Sequence, residues 1–246
     1  MDIKGRRVLI TGASRGLGRT LAFAFAEEGA REVFAGARKT EDIEKLKSEA
    51  QAKTLPITPI RLDVTLEPDI QAAARFGFID ILVNNAGVAG YGDPLQMNFE
   101  KALEEMNVNY FGALRMARAF APAMVEHGTG LIVNIATAFA KVNLPLVGTY
   151  CASKAALLSL GQALRAYLVD RGVQVMTVMP TTIDTDMSKG AAVPKMTTEF
   201  VAAEILRHIR EETTDPPIGE EAKDLLDGLQ NDPVAVEKMI SQIRAV

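Results

Sequence analysis

The segment Arg7-Val8-Leu9-Ile10-Thr11-Gly12-Ala13-Ser14-Arg15-Gly16-Leu17-Gly18 runs from a short apolar stretch, through a turn with three glycines, into residues of helical spacing that continue to Glu28. A strand that turns this tightly into a helix leaves the unpaired N–H groups of the helix N-terminus beside the strand's carboxyl end. An apolar strand without alternation is buried on both faces, so it needs parallel neighbours and a helix layer on each side. Doubly wound α/β sheets meet those demands.

The rest of the 246-residue chain repeats the pattern. Strands are predicted at 7–11, 32–36, 57–62, 80–84, 130–136 and 173–178, with a possible seventh near Ile218. Helices are predicted at 17–28, 40–52, 98–126 and 149–171, and a last helical stretch at 233–243. The expected fold is one doubly wound Rossmann-type α/β domain over 1–246, with a parallel sheet of six to seven strands flanked by helices. The stretch 1–90 is its cofactor half, 91–212 its catalytic and substrate half, and 213–246 an acidic, helical tail. Hydrophobic residues at 48% and charged residues at 24% suit one core of this size.

A net charge of −4 offers no basic footprint for a phosphate backbone, so no nucleic-acid partner is expected. No apolar run approaches the roughly 18 residues of a membrane helix, and residues 1–7 lack the pattern of a secretory signal. A lone Cys151 forms no internal disulfide, and a cytoplasmic location is expected.

The glycine turn, taken alone, fits either a tight connection or a pyrophosphate cradle. Its spacing, T-G-x-x-x-G-x-G, resembles that of the short-chain dehydrogenase/reductase family. Asp63-Val64 after the third strand is similar to the family's adenine-contacting pair, and Asn84-Asn85-Ala86-Gly87 matches its N-N-A-G segment. The resemblance implies nicotinamide-cofactor binding by Gly12, Ser14, Arg15, Gly16, Leu17, Gly18, Arg38, Asp63, Val64, Asn85, Ala86, Gly87, Val108, Tyr150, Lys154, Pro180, Ile183 and Thr185. Charge selects the cofactor. An acid at the end of the second strand would repel a ribose 2′-phosphate; Ala37 stands there instead, followed by Arg38, with Arg15 in the turn, and NADP(H) is expected.

Tyr150 and Lys154 are four residues apart, hence on one face of a helix. A phenol of pKa about 10 becomes a usable acid/base near neutrality when a cation favours its phenolate. Alone, the pair is more readily a surface tyrosine beside a surface lysine. The family resemblance implies more: Thr137 stands where the family carries a serine that bonds the substrate oxygen, and Asn109 matches an asparagine thought to hold a water linking the lysine to solvent. The expected catalytic group is Asn109, Thr137, Tyr150 and Lys154, acting on a carbonyl or alcohol. Thr181 replaces a usual glycine after Pro180 and would be strained if that position needed φ > 0.

Val88, Phe139, Val142, Leu144, Met187 and Met196 are the expected apolar pocket lining, favouring a fairly hydrophobic small-molecule substrate. His127 and His208 show no ligand spacing, so no metal is expected, and Cys151 reads as a small buried side chain. The two long helices suggest a homodimer or homotetramer. A competing reading is an NADP-binding regulatory or scaffold protein with little turnover, supported by Thr137 and Thr181. A nucleotide-sugar epimerase or dehydratase shares the Tyr-x-x-x-Lys pair, but the chain has little room for the larger substrate domain such proteins use.

Overall fold

The computed structural model describes residues 1–190 and 193–242. Seven strands, β1 (Arg7–Ile10), β2 (Glu32–Ala37), β3 (Ile57–Arg61), β4 (Ile81–Asn84), β5 (Gly130–Ile135), β6 (Val173–Pro180) and β7 (Pro217–Ile218), form one parallel sheet in the order 3-2-1-4-5-6-7. The possible strand near Ile218 is the edge strand β7, paired with the end of β6. The order reverses between β1 and β4, and their carboxyl ends open the crevice typical of such sheets.

Alternate residues supply the two apolar layers. Val8, Ile10, Val33 and Val83 pack with α1 (Gly16–Glu27) and α7 (Thr198–Arg210). Leu9, Phe34, Leu82 and Ile132 face α3 (Glu67–Ala74) and α5 (Ala113–His127). Helix α2 (Thr40–Ala52) buries only Leu46 and Ala50, and its charged remainder faces water. Helix α6 (Gly148–Leu168) lies against β6 and continues into a 3-10 turn, Val169–Arg171.

The predicted helix 98–126 is not regular. It starts as α4 (Phe99–Glu105), widens into a π-helical segment, Met106–Gly112, and resumes as α5. A Cβ on Gly112 would meet Val64 Cγ2 at 2.6 Å, so the widened turn sits hard against the segment that follows β3. Val108 and Asn109 are thereby turned inward and buried. π-Helical turns are common where a helix carries functional groups.

The tail forms α8 (Glu220–Asn231) and α9 (Pro233–Ile240). The predicted last helix ended at Ile243, which lies outside the described residues. Ala222, Leu225, Val236 and Ile240 pack on Ala138 and Val142, so the tail is docked onto the segment that follows β5. None of the described helices is long and apolar enough to cross a membrane.

Candidate active site

The carboxyl ends of β1, β2, β4, β5 and β6 surround a cleft of about 480 Å³. Every residue expected to bind cofactor lines it, from Gly12 through Arg38, Val64, Gly87 and Val108 to Tyr150, Lys154, Ile183 and Thr185. The glycine turn explains its own composition. Gly12 has φ +65°, and a Cβ there would stand 2.8 Å from Ala86 Cα, while one on Gly18 would reach Gly12 O at 2.3 Å. The start of α1 has no side-chain cap and no acid in its first turn, which leaves its N–H groups free for an anion.

Thr11 and Asn85 bind this turn to the end of β4. Thr11 Oγ1 accepts from the N–H groups of Asn85 and Ala86 at 3.0 and 2.9 Å. The Asn85 side-chain amide donates to Thr11 O and Gly12 O, so that side chain serves the turn itself. Asp63 Oδ1 accepts from the backbone and hydroxyl of Thr65.

At the far end of β2, Ala37 is buried and Arg38 is exposed with no ion-pair partner among the described residues. Lys39 lines the cleft next to it. Arg15 is already paired, its Nη1 donating to Asp186 Oδ2 at 2.8 Å. No motif in the sequence marks Lys39.

Lys154 is 3% exposed, its Nζ donating to Ile135 O at 2.7 Å and standing 5.8 Å from the centre of the Tyr150 ring. Burial pushes the ammonium down to about 8. Burial also raises the half-buried Tyr150 phenol above its ordinary value, with smaller contributions from Cys151, Tyr91 and Glu105. Glu105, which no sequence signal singled out, is 1% exposed, and its Oε1 accepts from Gly90 N at 2.6 Å. Cys151 is buried, and burial raises its thiol as well.

The lysine gives a testable pH dependence. Its folded pKa lies below its unfolded one, so the unfolded chain binds more protons between about pH 8 and 10 and stability from this group rises with pH there. Above about 10 the unfolded tyrosine ionises first, and Tyr150 then works against the fold. The thermal midpoint of Lys154→Met, compared with the parent from pH 7 to 10, should lack that rise; parallel curves would refute the assignment.

Asn109 does not line the cleft but lies beneath it. Its Nδ2 donates to Val88 O at 2.9 Å and Ser153 Oγ at 2.8 Å, its Oδ1 accepts from Val88 N, and Ser153 Oγ donates to Tyr150 O. Thr137 lines the cleft, 3% exposed, at the end of β5. Its hydroxyl donates to Pro180 O at 3.0 Å and accepts from Phe139 N at 3.3 Å. Thr181 carries no backbone strain, since only Thr54 and Glu212 have positive φ among the described non-glycine residues.

Of the expected apolar lining, Val88, Phe139, Leu144 and Met187 face the cleft. Val142 and Met196 do not. Val142 is buried against α8 and α9, and Met196 bridges to Ile183 and packs on Gly219. Tyr91, unmarked in the sequence, takes a place on the rim, its hydroxyl donating to Met187 O at 3.1 Å.

Comparison with known proteins agrees with this fold. A family model described as short chain dehydrogenase matches residues 6–194. A Drosophila melanogaster protein named dehydrogenase/reductase SDR family protein 7-like is 34% identical over 199 residues, which are 77% of this chain and 61% of that protein. An NADP-dependent 3-hydroxy acid dehydrogenase of Schizosaccharomyces pombe is 30% identical over 193 residues, 76% of this chain and 74% of that one. The chain spans less than two thirds of the length of several curated relatives it matches. A solved Burkholderia cenocepacia short chain dehydrogenase in complex with NADP superposes with a TM-score of 0.90 at 36% identity, covering 98% of this chain and 99% of that one.

Proposed function

The chain belongs to the short chain dehydrogenase family, and from that premise we propose that it is an NADP(H)-dependent oxidoreductase that reduces a ketone or aldehyde to an alcohol, or runs the reverse, with Tyr150 as general acid/base. The observation that carries this reading is the shared cleft: Tyr150 and Lys154 lie in the same cavity as the glycine turn and the cationic end of β2. The residues fit the cofactor. The uncapped start of α1 suits a pyrophosphate, and Arg38 and Lys39, with Arg15, suit a 2′-phosphate.

Bound NADPH supplies a hydride, and the chain's own groups manage the proton and the geometry. Tyr150 gives its phenol proton to the carbonyl oxygen during reduction. Lys154 places a positive charge near that phenol, stabilising the phenolate left behind. Asn109 and Ser153 hold the first turn of α6, and with it Tyr150, against the Val88 segment.

Thr137 orients the reacting oxygen. With its proton on Pro180 O it offers a lone pair to an alcohol, and it must turn to donate to a carbonyl. Thr137→Ala should lower turnover by roughly 10²-fold; rates near those of the parent would assign the orienting role elsewhere. The apolar rim of Val88, Phe139, Leu144 and Met187 favours an uncharged, fairly hydrophobic substrate. Leu103, Phe111 and Tyr167 expose apolar surface on the long helices, supporting association as a homodimer or homotetramer. The cytoplasm is the proposed location, in keeping with the single buried thiol.

The test is a panel of ketones, aldehydes and quinones with NADPH, read by its oxidation. Tight NADPH binding without oxidation anywhere in the panel, and the same for Tyr150→Phe, would favour a cofactor-binding regulator instead.

A further inference from the structure

We propose that Glu221 in the tail is a positioning residue for the reaction, acting through Thr181 and Pro180 on the hydroxyl of Thr137. The inference rests on reading Thr137 as the group that meets the reacting oxygen. Thr181 is 6% exposed, and its hydroxyl donates to Glu221 Oε2 at 2.9 Å across 40 residues of chain. The residue just before it, Pro180, accepts the Thr137 hydroxyl at 3.0 Å. Glu221, Thr181, Pro180 and Thr137 therefore form one continuous polar connection from the first turn of α8 to the cleft.

Apolar packing runs alongside that connection. Ala222 and Leu225 of α8 press on Ala138, immediately after Thr137, and Leu226 packs with Ala136, immediately before it. The segment carrying Thr137 is thus held from the tail on both flanks, and the polar link sets its hydroxyl. Glu221 has no ion-pair partner among the described residues, so its carboxylate is free to make a charge-assisted bond to Thr181. The tail lies beyond residues 6–194, the stretch the family model matches, and the link joins Glu221 in that tail to Thr181 inside the matched stretch.

Glu221→Ala and Thr181→Val each remove the link without touching Thr137. Each should lower kcat about tenfold on a carbonyl taken from the panel, since a small misplacement of an orienting group is enough for such a loss. The pair should lose little more than either alone, as expected for two members of one connection. Glu221→Gln keeps an acceptor oxygen and should retain about half of kcat or more. NADPH affinity, read by fluorescence titration, should stay within about twofold in Glu221→Ala.

Hydrogen exchange of residues 136–141, measured by mass spectrometry without substrate, should quicken in Glu221→Ala and not in Glu221→Gln. Unchanged exchange overturns the proposal whatever the substrate. So do losses of kcat that multiply in the pair, or faster exchange with kcat intact. Tyr150→Phe separates the two levels: retained turnover there removes the functional reading, whereas lost turnover beside an indifferent Glu221→Ala removes only the role of Glu221.

Discussion

Tyr150→Phe should cut turnover by about 10³-fold or more while leaving NADPH binding within about threefold. The substitution deletes one oxygen from a ring that keeps its place over Lys154, so cofactor contacts persist and only the proton donor goes. The pH profile should identify its helper. Burial brings the Lys154 ammonium down to about 8 and raises the phenol, so a free phenol in this cleft is a weak acid that depends on the neighbouring charge. As pH rises through about 8, Lys154 loses its proton and kcat/KM for reduction should fall. Lys154→Met should be slow throughout and lack that limb. A Tyr150→Phe enzyme with parental turnover, measured under saturating NADPH, would end the acid/base assignment.

Arg38→Asp should weaken NADPH by about 10²-fold and leave NADH little changed. A charge-assisted pair to a phosphate contributes about 1.5–3 kcal/mol, and a carboxylate in its place adds repulsion; each 1.4 kcal/mol is a factor of ten. Arg38 is the residue to change because it is uncommitted. Arg15 already shares its charge with Asp186 through Nη1, so Arg15→Ala should weaken NADPH less. Binding titrations of both cofactors decide the matter. Equal weakening of NADH and NADPH by Arg38→Asp would remove the charge argument for NADP(H), since NADH lacks the group that Arg38 is held to recognise.

The glycine turn, the strands and the tyrosine–lysine pair were legible in sequence because their determinants are local. Glycine is demanded at position 12 by its φ of +65° and at position 18 by the approach of Gly12 O, both within the turn. The strand runs are uniformly apolar because both faces are covered, and Tyr150 and Lys154 share a helix face by spacing alone. The charge choice at Ala37 and Arg38 also lies in two adjacent letters.

Other features became visible only with the chain folded. The widened turn around Asn109 arises where Gly112 meets Val64, 48 residues earlier in the chain, and helical periodicity carries no trace of it. Val142 and Met196 read as pocket residues because they are apolar and near the site in sequence, yet α8, α9 and Gly219 cover them.

The sequence alone determined the strand segments, the glycine turn and the tyrosine–lysine face, since each follows from neighbours within a few residues. Tertiary structure alone decided that Asn85 holds the turn, that Arg15 is tied to Asp186, and that Thr181 reaches Glu221. Those bonds join residues 40 to 171 positions apart, or depend on which of several partners a side chain meets, and only packing brings such groups within hydrogen-bond range.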